Sequence, residues 1–501
     1  LADYPSDFRY VLGLHEGVVV GMADGFAQAS VRTTVVNLHT APGIGNAMGA
    51  IAGAQANHSP LLITAGQQAR AQITLQANLT NRDATRMPHP LVKWSYEPPR
   101  AEDVPLALAH GAHLAGLAPR GPVFVSLPMD DWEVELDAAD ARHAITRKVT
   151  GRAVADPAAV AALAAELDAA ANPVLVAGPD IDTAGGWDSA IALAERQRLP
   201  VWASPATGGV RLGFPENHPN FRGVLPPAIG PVGQTLEGHD LILVVGSSVF
   251  PYYPHIPGPL LPEGARLVAI TSDPDEAVRA PMGDAIVADV GLTLTALVEA
   301  VPESGRPGPE PNPGPGDLEI TDPLNASTVH GALREALPDD AIVVLESPSS
   351  TLALRNQLRL SRPGSYYFSA GGGLGFGLAA AVGVQMAEPS RPVVCVLGEG
   401  SAQYAITAFW SAVAYDVPVT FLILRNEEYA ILKWFAEVEQ ITDAPGLDLP
   451  KLDVAAVAEG YGVTAHRAAD RDAVAGALAT ALASSKPELV EVPVAPGMAL
   501  F

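Results

Sequence analysis

Continuous apolar runs, each ended by glycine and polar residues and followed by a helical pattern, recur along this chain. The clearest example spans residues 391–435, where an apolar β-branched run at 393–397 ends in the tetrapeptide GEGS (398–401) and a second apolar run follows at 417–424. Strands buried in a parallel sheet show such unbroken runs, whereas half-exposed strands alternate apolar and polar residues. The pattern therefore predicts two parallel strands joined by a helix. Both connecting loops would lie at the sheet edge where open α/β sheets bind small ligands.

The same strand-and-helix rhythm divides the chain into three α/β units. Residues 1–150 alternate strand and helix patterns, and a capped Ala-rich helical pattern at 156–173 opens the second unit, 151–302. Three strand-like runs support this second unit: residues 173–178, 241–246 and 267–271. Residues 303–317 are rich in Pro, Gly and charge, a composition that cannot pack a core, and they indicate an extended linker. The third unit is 318–501.

Composition narrows the class of protein. With 501 residues, of which 48% are hydrophobic, the chain is long enough for about three domains. No uninterrupted apolar run is long enough to span a membrane, so we expect no membrane partner. A net charge of −25 argues against nucleic acid as a partner, because nucleic-acid binding requires a basic surface. The single cysteine, Cys395, excludes an internal disulfide and favours a cytoplasmic location.

The GEGS tetrapeptide combines features of an anion site and of a metal site. Gly398 and Gly400 let the main chain approach a bulky anion, and Ser401 is placed to open a helix whose free N–H groups favour phosphate. A carboxylate beside phosphate needs a cation between them, so Glu399 implies a metal. Asn426, at the end of the next strand, adds a neutral oxygen, and Mg²⁺ prefers oxygen ligands when it also holds phosphate. A tight strand-to-helix turn with a solvated Glu399 explains the local pattern equally well.

Two candidate proton-transfer groups lie in the first unit. Glu16 begins a helical run with apolar neighbours, and a buried carboxylate has a raised pKa and can share a proton with a ring nitrogen. His39 follows an apolar strand, at the end where ligands gather. Taken alone, Glu16 is also explained as a core glutamate paired with a partner side chain, and His39 as a structural histidine. The loop after His39 is not a dinucleotide fingerprint, because Met48 stands where that motif needs a glycine.

A glycine-rich segment marks the third unit. Ser349 and Ser350 follow an apolar strand, and the glycines at 371–373 would let the main chain approach a flat ring, with Leu374 as an apolar wedge beside it. A glycine-rich helix start that binds nothing is the competing interpretation.

These motifs resemble those of one enzyme family. The GEGS tetrapeptide followed by Asn426 is similar to the thiamine diphosphate motif, usually GDGS with a closing Asn-Asn pair. The likeness extends along the whole chain, in segments such as HEGVVVGMADGFAQAS (15–30), NLHTAPGIGNAMGA (37–50) and PGSYYFSAGGGLGFGL (363–378). The chain is identified as a member of the thiamine diphosphate-dependent 2-oxo acid decarboxylases, of the benzoylformate decarboxylase type. Relative to that family the sequence begins inside the first domain, so we expect the N-terminal part of that domain to be missing, with its Gly-rich loop and catalytic serine.

The resemblance implies an α/β fold of three doubly wound parallel-sheet domains and a thiamine diphosphate site with Mg²⁺ or Ca²⁺. The positions that match catalytic groups are Glu16, His39, Tyr253 and His255. The positions that match cofactor-binding groups are Glu16, Ser349, Gly372, Leu374, Glu399, Gly400, Ser401, Tyr404, Asn426 and Tyr429. The implied metal ligands are Glu399, Asn426 and the main-chain oxygen of Glu428. The implied substrate pocket consists of His39, Leu79, Phe368, Ile431, Leu432 and Phe435.

The family also implies an assembly and a reaction. Family members form homodimers with shared active sites, in which Glu16 of one subunit would meet Glu399 and Asn426 of the partner subunit, and the dimers commonly pair into homotetramers. The implied reaction is the non-oxidative decarboxylation of a 2-oxo acid, with an aromatic substrate expected. Two alternatives stay open: a carboligase of the acetolactate synthase type, and a paralogue that binds the cofactor with little or no decarboxylase activity.

Four positions depart from the family pattern. Tyr253 aligns with the second family histidine, and His255 follows two residues later. Glu399 replaces the usual aspartate, and Arg425 replaces the first asparagine of the closing pair. Ile431 stands where the aryl-specific enzymes have a small residue. We expect these changes to affect turnover, to strain the metal site and to narrow the substrate pocket.

Overall fold

Three all-parallel β-sheets organise the chain. The structure is a computed structural model that describes residues 5–205, 211–250 and 252–498. In the described residues, every strand pair within these sheets is parallel. The sheets follow one another along the sequence, which confirms the expected α/β class with three parallel-sheet units.

The first sheet has four strands in the order β1-β2-β4-β3. Its strands are β1 (Thr34–Leu38), β2 (Leu61–Gln67), β3 (Ser95–Tyr96) and β4 (Val123–Pro128). The accompanying helices are α1 (Glu16–Ser30), α2 (Ala41–Ala56), α3 (Arg70–Ile73), α4 (Val104–Gly116) and α5 (Ala138–Ile145).

The second sheet has six strands in the order β10-β9-β8-β5-β6-β7. Its strands are β5 (Pro173–Ala177), β6 (Val201–Ala203), β7 (Phe221–Val224), β8 (Leu241–Val245), β9 (Arg266–Thr271) and β10 (Asp284–Val287). The helices are α6 (Pro157–Ala169), α7 (Asp180–Thr183), α8 (Trp187–Arg196), α9 (Ile229–Thr235), α10 (Pro274–Arg279) and α11 (Val290–Ala300). Asp156 caps α6 by accepting the N–H of Ala158 at 2.8 Å, as the sequence pattern predicts.

The third sheet has six strands in the order β12-β11-β13-β14-β16-β15. Its strands are β11 (Ile342–Glu346), β12 (Tyr366–Phe368), β13 (Val393–Gly398), β14 (Thr420–Arg425), β15 (Thr464–Arg467) and β16 (Glu488–Pro493). The helices are α12 (Ala326–Ala336), α13 (Thr351–Gln357), α14 (Gly377–Ala387), α15 (Glu399–Gln403), α16 (Ala408–Ala414), α17 (Ala430–Val438), α18 (Val454–Tyr461) and α19 (Arg471–Leu482). The two strands predicted around GEGS are β13 and β14, and they pair directly.

Each sheet is covered on both faces, which explains its unbroken apolar strands. Along β13, Val394 and Val396 pack in one buried cluster, whereas Cys395 and Leu397 pack in another. The same division holds in β8, where Leu243 packs in one cluster and its immediate neighbours Ile242 and Val244 pack in another. A strand with helices on both faces has no polar side, so its sequence is apolar throughout. The doubly wound arrangement is therefore confirmed.

Helices α1 and α14 hold the first and third sheet units together within one chain. A Cβ atom added at Gly25 would lie 2.2 Å from the carbonyl oxygen of Ala380, and one added at Gly383 would lie 1.9 Å from that of Met22. Side chains at these positions would force the helices apart, because real Cβ atoms do not approach so closely. The small-residue pattern of the two helices thus permits close backbone packing.

Residues 303–317 contain no helix or strand, as expected of a linker. They are nevertheless tied to the second sheet unit. Arg306 donates to the carbonyl oxygens of Leu167 and Ala170 at 2.8 and 2.9 Å, and Asn312 donates to that of Glu216 at 2.8 Å. The linker is therefore held against the second sheet unit by hydrogen bonds. The exact domain boundaries stay a prediction. None of the helices in the described ranges has the length and apolar character that a membrane-spanning helix requires.

Candidate active site

The carboxyl edge of the third sheet places a buried acid at the end of β13. Glu399 is 1% exposed, and its Oε1 accepts the main-chain N–H of Glu427 at 2.6 Å. Burial raises the pKa of the Glu399 carboxyl, and the N–H groups around it and the charge of Arg425 oppose that rise. The group is therefore a desolvated acid at a ligand-binding edge, and the structure does not support a solvated Glu399.

The longer side chain of Glu399 has a structural use that the sequence does not reveal. We expected the extra methylene, relative to aspartate, to strain the metal site. In the structure that length carries the carboxylate to the turn after β14, where Glu427 has a φ of +60°. One oxygen holds the turn, which leaves the other oxygen for a further partner. The turn is therefore built around the longer acid.

Oxygen atoms gather on the turn that follows β14. Asn426 Oδ1 accepts the N–H of Glu428 at 3.3 Å, which folds the amide back over the turn. The carbonyl oxygens of Glu427 and Tyr429 both accept main-chain N–H groups, whereas none of the main-chain hydrogen bonds of the described residues ends on the Glu428 carbonyl. A buried carboxylate, an amide oxygen and an uncommitted carbonyl form the all-oxygen set that Mg²⁺ accepts. The residues present fit a divalent cation.

The acidic residues on this turn are neutralised within the chain. Arg425 Nη1 lies 2.7 Å from Glu427 Oε1, and the Lys433 ammonium group contacts both Glu428 and Asp448. Glu427 and Glu428 therefore add less negative charge to the site than their sequence suggests. Arg425 is occupied by this pairing.

Two tyrosines flank the GEGS turn. A Cβ atom on Gly400 would lie 2.8 Å from the ring of Tyr429, so a side chain at this position would displace that ring. Burial, followed by a hydrogen bond with Tyr404, raises the pKa of Tyr429. Helix α15 begins at Glu399 and not at Ser401, which lies buried inside it, so the predicted helix start is wrong by two residues.

The glycine-rich loop (369–377) lies beside these tyrosines. Gly372 and Gly375 have φ values of +67° and +105°, which favour glycine. A Cβ atom on Gly375 would lie 3.2 Å from Tyr404 Cβ, so the loop and the GEGS helix are close neighbours. Leu374 and Ser349 are both half-buried at the same edge of the sheet.

Glu346 is a site residue that the sequence reasoning missed. It ends β11, is 3% exposed, and accepts the main-chain N–H groups of Gly375, Phe376 and Gly377. Burial raises its pKa to about 7, although the three N–H groups oppose the rise. The available signal was a lone acid closing the otherwise apolar strand IVVLE.

Glu16, His39 and Asn46 form a second group on the first sheet unit. Asn46 Nδ2 donates to Glu16 Oε2 at 3.1 Å. A Cβ atom on Gly43 would lie 3.1 Å from His39 Cβ and 3.3 Å from Glu16 Oε1, so both candidate proton-transfer groups border this glycine. Within the single chain Glu16 is only partly buried.

Tyr253 reaches the predicted substrate pocket from the second sheet unit. Its ring centroid lies 4.9 Å from that of Phe435 on α17. His255 is exposed in the same loop. The remaining predicted pocket residues are half-buried or exposed: Leu79, Phe368, Ile431 and Leu432. The structure therefore brings Tyr253, rather than His255, against Phe435, and the two rings form what we call the aromatic wall of the predicted pocket.

The fold and this site define a class of protein. Residues 1–87 match the N-terminal thiamine pyrophosphate (TPP) binding domain, 160–297 the central domain and 349–492 the C-terminal TPP binding domain of thiamine pyrophosphate enzymes. The chain belongs to the thiamine pyrophosphate enzyme family. Thiamine diphosphate, another name for the same compound, is its cofactor.

Two proteins of known name show which members of the family this chain is similar to. The chain is 53% identical to a benzoylformate decarboxylase of Pseudomonas aeruginosa over 494 residues, 98% of this chain and 93% of that protein. An acetolactate synthase large subunit of Parasynechococcus marenigrum is 28% identical, over 99% of this chain and 82% of that protein.

Solved structures agree with this. A thiamine diphosphate-dependent 4-hydroxybenzoylformate decarboxylase of Rhodococcus jostii RHA1 is 45% identical, with a TM-score of 0.95 over 99% of this chain and 94% of the other. A benzoylformate decarboxylase of Polynucleobacter necessarius is 39% identical, with a TM-score of 0.96 over 100% and 94% of the two chains.

Proposed function

We propose that this chain catalyses the thiamine diphosphate-dependent, non-oxidative decarboxylation of an aromatic, benzoylformate-like 2-oxo acid to an aldehyde and CO₂. The observation that carries the proposal is the oxygen set at the third sheet edge. The buried Glu399 carboxylate, Asn426 Oδ1 and the uncommitted Glu428 carbonyl lie on two adjoining turns, as a metal-held diphosphate requires. The 53% identity to a benzoylformate decarboxylase supports the substrate class.

Each group of residues has a distinct task. Glu399, Asn426 and the Glu428 carbonyl would hold Mg²⁺, and the glycine-rich loop with Leu374 would receive the rings of the cofactor. Further cofactor contacts are assigned to Ser349, Gly372, Gly400, Ser401, Tyr404 and Tyr429. The bound cofactor supplies the electron sink that allows CO₂ to leave, and the protein supplies position and proton transfer.

Glu16 and His39 are the proposed proton-transfer residues. Asn46 holds one Glu16 oxygen and leaves the other free to exchange a proton with a ring nitrogen. His39 borders Gly43, which also contacts Glu16, and would orient the substrate or move a proton. Tyr253 would complete the pocket wall against Phe435.

The pocket favours a flat apolar side chain on the substrate. Phe435 and Tyr253 present adjoining rings, and Phe368 is half-buried at the same sheet edge. Aromatic groups pack well against such surfaces. Ile431 fills space next to them, so the pocket should prefer unsubstituted or small aryl groups.

We also propose a homodimer with shared active sites, further paired into a homotetramer, in the cytoplasm. The hydrogen bond from Asn46 to Glu16 stays within the first sheet unit, whereas the oxygen set belongs to the third. The buried thiol of Cys395 is consistent with a reducing compartment.

Mixing inactive Glu16→Gln and Glu399→Ala proteins tests whether active sites are shared between subunits, because subunit exchange should restore part of the activity. No recovery after exchange would argue for a site contained in one chain.

The function is tested by a CO₂-release screen of aromatic, branched and linear 2-oxo acids with thiamine diphosphate and Mg²⁺. Benzoylformate should be turned over with the highest kcat/KM. Pyruvate as the best substrate would refute the aromatic assignment.

A further inference from the structure

The glycine-rich loop is anchored at its two ends rather than along its length. At one end the N–H of Ala370 donates to Asn57 Oδ1 at 2.8 Å. At the other end the Glu346 carboxylate accepts the N–H groups of residues 375–377. Between them, 371–373 are exposed glycines with no side chains to hold them. The path of the loop therefore depends on these anchors.

The fold leaves the Glu346 carboxylate little freedom. Glu346 pairs with Leu397 in the sheet, one strand away from the start of the GEGS turn. A Cβ atom on Gly377 would lie 2.6 Å from Glu346 Cβ, so the start of α14 is packed directly onto this side chain. The carboxylate also lies at the N-terminal end of α14, an 11-residue helix, where negative charge is favoured.

We propose that Glu346 is a positioning residue whose ionised carboxylate fixes the glycine-rich loop in the form that receives thiamine diphosphate, and whose protonation releases that loop. The proposal rests on the proposed function, because it concerns the same cofactor site. Glu346 itself acts through the loop main chain.

The ionised and the protonated Glu346 carboxyl differ in hydrogen-bonding capacity, and this difference explains how protonation would release the loop. An ionised carboxylate only accepts hydrogen bonds, and its two oxygens serve three N–H groups here. A proton removes the negative charge and turns one oxygen into a donor, so the carboxyl group accepts the three N–H groups more weakly. The pKa of Glu346, raised to about 7 by burial, places this exchange near neutral pH.

The groups that face Glu346 do not titrate near neutrality. Strand β13 contributes Cys395, and burial, with the Glu346 charge, raises the pKa of its thiol well above its ordinary value. Strand β12 contributes Tyr367, which packs in the same cluster as Val344, and burial raises the pKa of its phenol. Helix α14 has no ionisable side chain, and residues 347–350 offer only hydroxyl groups. The other anchor has a titrating neighbour: Asn57 Nδ2 donates to Asp24 Oδ2 on α1 at 2.8 Å, and burial raises the pKa of Asp24 to about 6. Comparing the wild type with Glu346→Gln separates the two carboxyl groups, because Asp24 is present in both proteins.

The test compares thiamine diphosphate binding to the full-length wild type and to Glu346→Gln at saturating Mg²⁺, from pH 6 to pH 8, by calorimetry. A single carboxylate that must be ionised, with a pKa near 7, makes binding about tenfold tighter at pH 8 than at pH 6. The ionisation of the cofactor and of Glu399 is common to both proteins and cancels in their ratio. We expect Glu346→Gln to bind thiamine diphosphate more weakly than the wild type at pH 8. Its affinity should also lack the tenfold change between pH 6 and pH 8 that is due to Glu346.

A second measurement uses the wild type alone, so the proposal stays testable if Glu346→Gln does not fold. Amide hydrogen exchange of residues 375–377, corrected for the intrinsic rate, should be slower at pH 8 than at pH 6, with a peptide from β14 as control. Equal pH dependence of binding in the two proteins, or unchanged protection at 375–377, would overturn the proposal. Absence of wild-type binding at every pH would instead overturn the proposed function, and the cofactor role of Glu346 with it.

Discussion

Shortening Glu399 by one methylene is the most direct perturbation of the metal turn. In the wild type, Oε1 accepts the Glu427 N–H at 2.6 Å and the second oxygen stays available for a cation. Aspartate withdraws the carboxylate by about 1.5 Å, one carbon–carbon bond. The shorter group can reach the N–H or the cation but not both, so cation binding leaves the Glu427 N–H without its carboxylate partner.

The magnitude follows from that lost bond. A hydrogen bond to a charged group contributes about 1.5–3 kcal/mol. Because 1.4 kcal/mol is a factor of ten in affinity, Glu399→Asp should weaken thiamine diphosphate binding at least about tenfold.

The assay is a thiamine diphosphate titration at fixed Mg²⁺ for the wild type, Glu399→Asp and the control Glu427→Gln. The control removes the exposed charge that pairs with Arg425 but keeps the main-chain N–H, so its affinity should stay within about twofold, as expected for a surface ion pair. Equal or tighter binding by Glu399→Asp would refute the claim that this turn is built around the longer acid.

Three further predictions concern catalysis, specificity and stability. Glu16→Gln should lower kcat at least about 100-fold, since general acid–base catalysis contributes that much, while calorimetry shows thiamine diphosphate still bound. Ile431→Ala should raise kcat/KM for benzoylformate about tenfold relative to 2-oxobutanoate, because it frees space beside the aromatic wall. His330→Leu should raise the free energy of unfolding by about 1–3 kcal/mol, measured by urea denaturation, because in the described chain neither buried ring nitrogen has a hydrogen-bond partner.

The gain in the free energy of unfolding caused by His330→Leu should depend on pH in one direction. Burial lowers the pKa of His330 from 6.5 to about 3, so between these pH values the imidazole binds a proton in the unfolded chain but not in the folded protein. This residue therefore costs stability progressively as the pH falls from about 6.5 towards 3, and the advantage of His330→Leu should grow over that range. An advantage that shrinks with acidification would contradict the assignment. Retained turnover in Glu16→Gln, or an unchanged substrate ratio in Ile431→Ala, would contradict the other two predictions.

Local patterns in the sequence were sufficient for much of the fold and for one half of the site. The unbroken apolar runs identify β13 and β14 because strands covered on both faces have no polar side. The GEGS tetrapeptide and Asn426 follow those runs directly, so their meeting at one sheet edge follows from parallel pairing. The glycine-rich loop was recognisable for the same reason.

Contacts between distant segments could not be predicted in this way. Glu346 acquires its role only when the N–H groups of residues 375–377 are brought against β11. The bond from Glu399 to the Glu427 N–H depends on how two turns approach each other. The packing of Tyr253 on Phe435 joins different sheet units. Such relations depend on tertiary structure and leave no periodic signal in the sequence.

The central claim is tested most directly by product stoichiometry in cofactor-stripped protein. Benzoylformate is added with and without thiamine diphosphate and Mg²⁺, and CO₂ and benzaldehyde are measured together. The account predicts equal amounts of both products with the cofactor and Mg²⁺ present, and no turnover when either is omitted. CO₂ release with a 2-hydroxy ketone in place of the aldehyde, or turnover without the cofactor, would contradict it.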